Sequence, residues 1–344
     1  MKAVTCSFTA LLMVACLGAC QSASIDNGES IASPPVAKKV TSTREYHGRV
    51  LHDDYLWLKD PSYPEVNDPD ILAYLEAENR WFEQEMAPLQ PAVDILFAEM
   101  KGRIEDEQAS VPWEDGEYLY RWRYVEGSQY RLWERQPLAG GEFVTILDES
   151  LEARGREYFR LTALQVSPDG SRLAWSADID GSERSTLFVD ELDTARRYED
   201  GLDNIRGRAV WGVDNRTLYY TPVEADGWYS LRVKSHVIGT SPEQDREVFY
   251  TPDRSLFLSV SRSQSRQYLF ITRSDHQTSE QRILRLDDPA AEVLLIAPRV
   301  EGQYYDMDHG NGRFYIRTND QRVNFRIATA PEQSPGPEHW TTLL

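Results

Sequence analysis

Cysteine, histidine and serine are the residues here whose types and spacing could do chemistry. All three cysteines, Cys6, Cys16 and Cys20, fall within the first twenty of 344 residues. Beyond them the chain can form neither a disulfide framework nor a thiolate metal site, and it holds no Cys nucleophile. The histidines are His47, His52, His236, His276, His309 and His339. No two stand four apart on a helix and no HExxH occurs, so no metal is expected. No glycine-rich phosphate loop is present, and no cofactor is expected. A hydrolase serine exposed on a sharp strand-to-helix turn would sit in Gly-x-Ser-x-Gly, and that motif is absent from the sequence. Gly127-Ser128, Gly170-Ser171 and Gly181-Ser182 lack its flanks and fall in predicted hairpin turns. The sequence therefore predicts no catalytic, cofactor-binding or metal-binding residue.

Two acidic clusters remain. Glu105-Asp106-Glu107 with Glu114-Asp115 could draw basic peptides electrostatically, but it reads first as solvated surface. Asp306-Met307-Asp308-His309 reads as hairpin chemistry rather than catalysis.

Cys20 carries a different kind of chemistry. Met1-Lys2 is followed by a mostly apolar run from Phe8 to Leu17, too short to span a bilayer and read as a signal peptide. The run ends Leu17-Gly18-Ala19-Cys20, which resembles a bacterial lipobox, so Cys20 is the predicted lipidation site. Acyl chains there would anchor the protein, each buried CH₂ contributing roughly 0.8 kcal/mol. Gln21 is not the Asp of an inner-membrane retention signal. The expected address is the bacterial cell envelope, lipid-anchored at the outer membrane and facing the periplasm. Residues 1–20 are thus read as signal and 21–44 as a flexible tether rich in Ser, Pro and Ala.

The formal charge is −19, from 56 acidic and 37 basic residues. That balance argues against nucleic acid, whose phosphates demand a Lys/Arg excess. It also argues against electrostatic adsorption to anionic lipid.

The elements that would position any chemistry change character along the chain. Residues 45–108 form a helical lead-in. Asp68-Pro69 provides an N-cap followed by Pro at the first helical position. Ile71, Leu72, Leu75, Phe82 and Met86 then recur at helical spacing until Pro88. A second helix is predicted from about Pro91, with Ile95, Leu96, Met100 and Ile104 on its apolar stripe. From about Val111 the period becomes two. Tyr118 to Trp122 reads as a strand, and Ser167-Pro168-Asp169-Gly170 as a type I turn.

A repeat organises these strands. SVPWEDGEYLYRW, QVSPDGSRLAWS, VWGVDNRTLYYT, VSRSQSRQYLFIT and DMDHGNGRFYIRT each give a strand, a tight polar turn and an aromatic-bearing strand. Anchored at Val111, Val166, Trp211, Val260 and Met307, the steps are about 55, 45, 49 and 47 residues, the length of a four-stranded propeller blade. The fold class is therefore mainly β, with residues 109–344 read as a β-propeller of about five blades.

Several stretches in order, from RVLHDDYLWLKDP through ILAYLEAENRWFE, LFAEMKGRI and SVPWEDGEYLYRWRYVEGSQY to YDMDHGNGRFYIRTND, resemble oligopeptidase B of the prolyl oligopeptidase family. The resemblance runs from Arg49 to Leu344. It implies a seven-bladed propeller capping an α/β-hydrolase domain, with the lead-in helices packed on the hydrolase. It implies short basic peptides as partners, cleaved after Lys or Arg, and it makes His52-Asp53-Asp54 part of a structural lead-in. The family's Ser-Asp-His triad follows the propeller, so no position here inherits it. The expectation is an incomplete propeller with the hydrolase domain absent, inactive alone. A separately encoded hydrolase domain is an expected partner; the alternative is a non-enzymatic lipoprotein propeller that binds peptides or proteins.

Overall fold

The computed structural model describes residues 33–63, 65–105, 108–288 and 291–344. Cys20 lies outside the described residues. The chain divides into two compact units, one ending at Ile104 and the other running from Glu105 to Leu344.

In the first unit, β1 (Ser42–Tyr46) pairs antiparallel with β2 (Arg49–Asp53). His47 and Gly48 both take positive φ in the connection, as a two-residue hairpin of type I′ requires. Helix α1 (Pro69–Met86) follows, and the Asp68 carboxylate accepts from the N–H groups of Asp70 and Ile71. This satisfies two of the donors a helix start leaves free. Just upstream, Asp60 accepts from the Ser62 hydroxyl and from the N–H groups of Ser62, Asn67 and Asp68. Those bonds hold its carboxyl well below the usual range. A 3₁₀ turn at Ala87–Leu89, carrying Pro88, separates α1 from α2 (Gln90–Lys101). Ile71 is buried, but the stripe on α2 is not: Ile95 is 68% exposed and Phe97 62%.

The second unit is a stack of five four-stranded antiparallel blades. Blade 1 is β3 (Trp113–Asp115), β4 (Tyr118–Tyr124), β5 (Arg131–Pro137) and β6 (Val144–Asp148), followed by a helical turn, α3 (Glu149–Glu152). Blades 2 and 3 share one seven-stranded sheet of β7 (Arg160–Val166), β8 (Arg172–Asp178), β9 (Ser185–Glu191), β10 (Arg197–Trp211), β11 (Thr217–Pro222), β12 (Arg232–Val237) and β13 (Arg246–Tyr250). The join is β10. Its first part pairs with β9 as the outer strand of blade 2, and its last part pairs with β11 as the inner strand of blade 3. Ile205 is the pivot, opposite both Ser185 and Pro222.

Blade 4 is β14 (Phe257–Arg262), β15 (Tyr268–Ser274), β16 (Ser279–Arg285) and β17 (Leu294–Leu295). Blade 5 is β18 (Tyr305–Gly310), β19 (Arg313–Thr318), β20 (Arg326–Pro331) and β21 (Thr341–Thr342).

Strand alternation builds the core. Successive side chains leave opposite faces of a strand, so one apolar run supplies both interfaces of its blade. On β11, Leu218 and Tyr220 pack toward blade 2 with Ala174, Val189 and Trp211, whereas Tyr219 packs toward blade 4 with Leu258 and Leu269. On β15, Leu269 and Ile271 face blade 3, and Tyr268 and Phe270 face blade 5. Trp175, 1% exposed, stacks on Phe188 and closes the contact between blades 1 and 2 with Leu147 and Phe159. Four such clusters serve the four contacts among five blades. Each fully buried Leu, Ile, Val or Phe contributes roughly 1.5–3 kcal/mol, so the stack is held chiefly by these flat interfaces.

Candidate functional site

The innermost strands of blades 1 to 4 converge on one cleft. β3 supplies Trp113, Glu114 and Asp115, β7 supplies Gln165, β10 supplies Arg208, and β14 with its turn supplies Ser261 to Gln264 and Arg266. The cleft holds about 490 Å³. A smaller cavity of about 180 Å³ shares Asp115, Gly116, Arg262 and Arg266 with it and reaches Tyr118, Tyr120 and the Ser167–Gly170 turn.

The turns around this cleft are variations on one design. In blade 2, Ser167 N–H donates to Arg172 O at 2.8 Å; in blade 3, Gly212 N–H donates to Thr217 O at 2.7 Å; in blade 4, Ser263 N–H donates to Tyr268 O at 2.9 Å. The fourth residue of each turn is left-handed: Gly170 at φ 77°, Asn215 at 58° and Arg266 at 63°. Glycine and asparagine adopt that conformation readily, but arginine does so at a cost of order 1–3 kcal/mol. Its guanidinium pairs with Asp115 of blade 1.

Neighbouring blades brace these turns. Asp169 N–H donates to the Asn215 side-chain oxygen at 2.9 Å, joining blades 2 and 3. Gln264 N–H donates to Asp308 Oδ1 at 2.8 Å, and Ser265 N–H to His309 O at 3.0 Å, joining blades 4 and 5. Below them Ser265 Oγ lies 2.8 Å from His309 Nδ1 and 2.9 Å from Ser263 Oγ. This superficially resembles a serine–histidine pair. His309, however, is 2% exposed and enclosed by the rings of Tyr268 and Phe314, and Ser265 is committed to Ser263. Burial pushes the His309 pKa down, against the smaller opposing pull of Glu332 and Asp308. A neutral imidazole locking the turn is the chemistry of that pair.

Arg262 and Arg208 differ from Arg266. Among the described residues, neither side chain makes a hydrogen bond or ion pair. Burial chiefly, and the nearby Arg266 next, lower the Arg262 pKa, while Asp115 opposes the shift. A guanidinium stays charged nonetheless, so Arg262 and Arg208 present unpaired positive charge to the cleft. Ser261 and Ser263 line the cleft beside Glu114 and Asp115, and no histidine is among its described lining residues.

The residues singled out in the sequence land as follows. Gly127, Gly170 and Gly181 all take positive φ between consecutive strands, and each precedes its serine in a turn. Asp53 accepts from Tyr55 N–H and Asp54 from the Thr41 hydroxyl, close to the β1–β2 hairpin. Glu114 and Asp115 line the cleft and keep contact with solvent, with Asp115 paired to Arg266. Asp106 and Glu107 lie outside the described residues. His309 closes a turn. The arginines at 208, 262 and 266 escaped sequence reasoning. Arg262 occupies the last position before its turn, where blades 2 and 3 carry Val166 and Trp211, and that break in an apolar repeat was the available signal.

The stacked blades, the shared turn design and the cleft between inner strands define a β-propeller domain. The profile of the prolyl oligopeptidase N-terminal β-propeller domain matches residues 34–344. The chain belongs to the prolyl oligopeptidase family. It is 33% identical over 328 residues to dipeptidyl aminopeptidase BI of Pseudoxanthomonas mexicana, covering 90% of this chain and 45% of that protein. It is 30% identical over 305 residues to Protease 2 of Moraxella lacunata, covering 86% and 43%. Among solved structures, oligopeptidase B from Leishmania major superposes with a TM-score of 0.82 at 24% identity, over 90% of this chain and 46% of that one. At that identity the likeness speaks for the fold. The chain spans a little under half the length of the curated relatives it matches.

Proposed function

We propose that this chain is the substrate-gating propeller of a serine oligopeptidase that acts on short peptides, with cleavage after Lys or Arg. The observation that carries the reading is the cleft formed where four inner strands converge, in a chain one-third identical to a dipeptidyl aminopeptidase. A passage of this size admits a flexible peptide segment and excludes folded protein. The acyl-transfer chemistry belongs to a hydrolase domain outside this sequence, since Gly-x-Ser-x-Gly is absent from it. The exposed apolar residues of α2, Ile95, Leu96, Phe97 and Met100, suit the covering of such a domain.

The purified chain, assayed alone on Arg- and Lys-peptide amides, should show no turnover. Activity that follows the chain through every purification step would overturn this division of labour. We further propose that a lipid on Cys20 holds the protein at the envelope, facing the periplasm. Cys20→Ser should move it from the membrane fraction to the soluble one, and unchanged fractionation would remove the anchor.

A further inference from the structure

Arg208 and Arg262 come from different blades, about fifty residues apart in sequence, and meet at one cleft without carboxylate partners. This is unusual in its setting: the chain is acidic, with a formal charge of −19. Elsewhere in the same unit buried arginines are matched, as Arg273 is by Glu280 and Asp253, and Arg326 by Asp320. Arg208 is exposed and bears little cost for that, but leaving the partly buried Arg262 guanidinium unpaired is costly unless something else supplies the negative charge.

The cleft also presents an unmet acceptor. Gln165 Oε1 is buried and has no hydrogen-bond partner. A buried acceptor in that state calls for an N–H or O–H donor. The two requirements together narrow the ligand. Sulfate carries negative charge but no donor, and Glu114 and Asp115 on the same wall disfavour a doubly charged anion such as hydrogenphosphate. A peptide's last residue carries a carboxylate and, beside it, an amide N–H.

Arg262 is also preorganised. The turn that carries Arg266 and follows Arg262 is fixed to blade 5 by Gln264 and Ser265 and locked beneath by His309. Arg266 holds a left-handed backbone where blades 2 and 3 place Gly and Asn, and Asp115, whose charge also attracts Arg262, is hydrogen-bonded to it. Ligand binding then requires little ordering of the protein.

We propose that the cleft is a carboxylate subsite, in which Arg208 and Arg262 bind the free C-terminal carboxylate of a short peptide and Gln165 accepts from its last amide N–H. This deepens the gating reading and rests on it for the identity of the ligand as a peptide. Arginine suits the role because its planar fork meets a carboxylate in two parallel hydrogen bonds.

The test is calorimetric titration of the full chain with acetyl-Ala-Ala-Ala ending in a free carboxylate, and with the same peptide ending in an amide. The carboxylate form should bind at least about tenfold more tightly, the effect of one charge-assisted hydrogen-bonded pair. Arg208→Gln and Arg262→Gln, each checked for an unchanged melting temperature, should each remove most of that preference by weakening the carboxylate form far more than the amide form. Equal binding of the two peptides would overturn the proposal. So would a preference that survives both substitutions, since the carboxylate would then sit elsewhere. Either failure leaves the division between propeller and hydrolase untouched, because that is read by turnover and not by this titration.

Discussion

At the scale of single residues, His309 shows how burial turns a titratable group into a fastener. The ring holds Ser265 through Nδ1, and Nε2 has only Glu332 near it, at 3.9 Å. Its pKa is lowered by burial in the folded chain, so the unfolded chain takes up the proton first as the solution is acidified. The stabilisation tied to neutral His309 is therefore complete above the ordinary histidine pKa of about 6.5 and declines as pH falls from there toward the lower folded value. Melting temperature measured between pH 7.5 and pH 5 should fall less steeply in His309→Gln than in the unaltered chain. Parallel curves would show that the buried ring carries no such linkage. Sequence reasoning placed this histidine in hairpin chemistry, but it could not see the ring's partner, because Ser265 lies on the preceding blade. Arg266 was hidden for a related reason. Turn rules put Gly or Asn in the left-handed position, and an arginine there becomes intelligible only once Asp115, 151 residues away, is seen beside it.

At the scale of elements, the blades were legible because two local signals coincide: period-two apolar patterning and a polar turn at nearly constant intervals. SPDG, GVDN and SQSR each close with the same N–H to carbonyl bond, so the repeat in sequence is a repeat in geometry. The double duty of β10 was not legible. Its register shifts on both sides of Ile205 interrupt the alternation that marks a strand, and nothing in residues 197–211 announces that one strand serves two blades. The flat interfaces make a quantitative prediction. Trp175→Ala should lower unfolding free energy by about 3–5 kcal/mol, since it opens a cavity between blades 1 and 2. Trp113→Ala, on an exposed aromatic at the cleft, should cost under about 1 kcal/mol. Denaturant melts of the two variants check this, and comparable losses would mean that the blade contacts do not dominate stability.

At the scale of the whole molecule, the fold places binding chemistry in one unit and an uncovered apolar face in the other. The lead-in helices were readable from their caps and spacing, with Asp68 and Pro69 starting α1 and Pro88 interrupting it. What covers their stripe was not readable, because helical spacing identifies an apolar face and never its partner. Exposure of Ile95, Leu96, Phe97 and Met100 together is far more than scattered surface apolarity. Under the proposed gating role, a hydrolase domain would cover that face and act on the peptides the cleft admits.

The most direct measurement is therefore to treat the native membrane fraction with a fluorophosphonate serine-hydrolase probe and recover proteins through this chain. The account predicts a probe-labelled hydrolase in the recovered material, joined to the propeller or bound to it. Recovery of the chain with no labelled hydrolase would contradict the account and leave a propeller that binds peptides without a part in cleaving them.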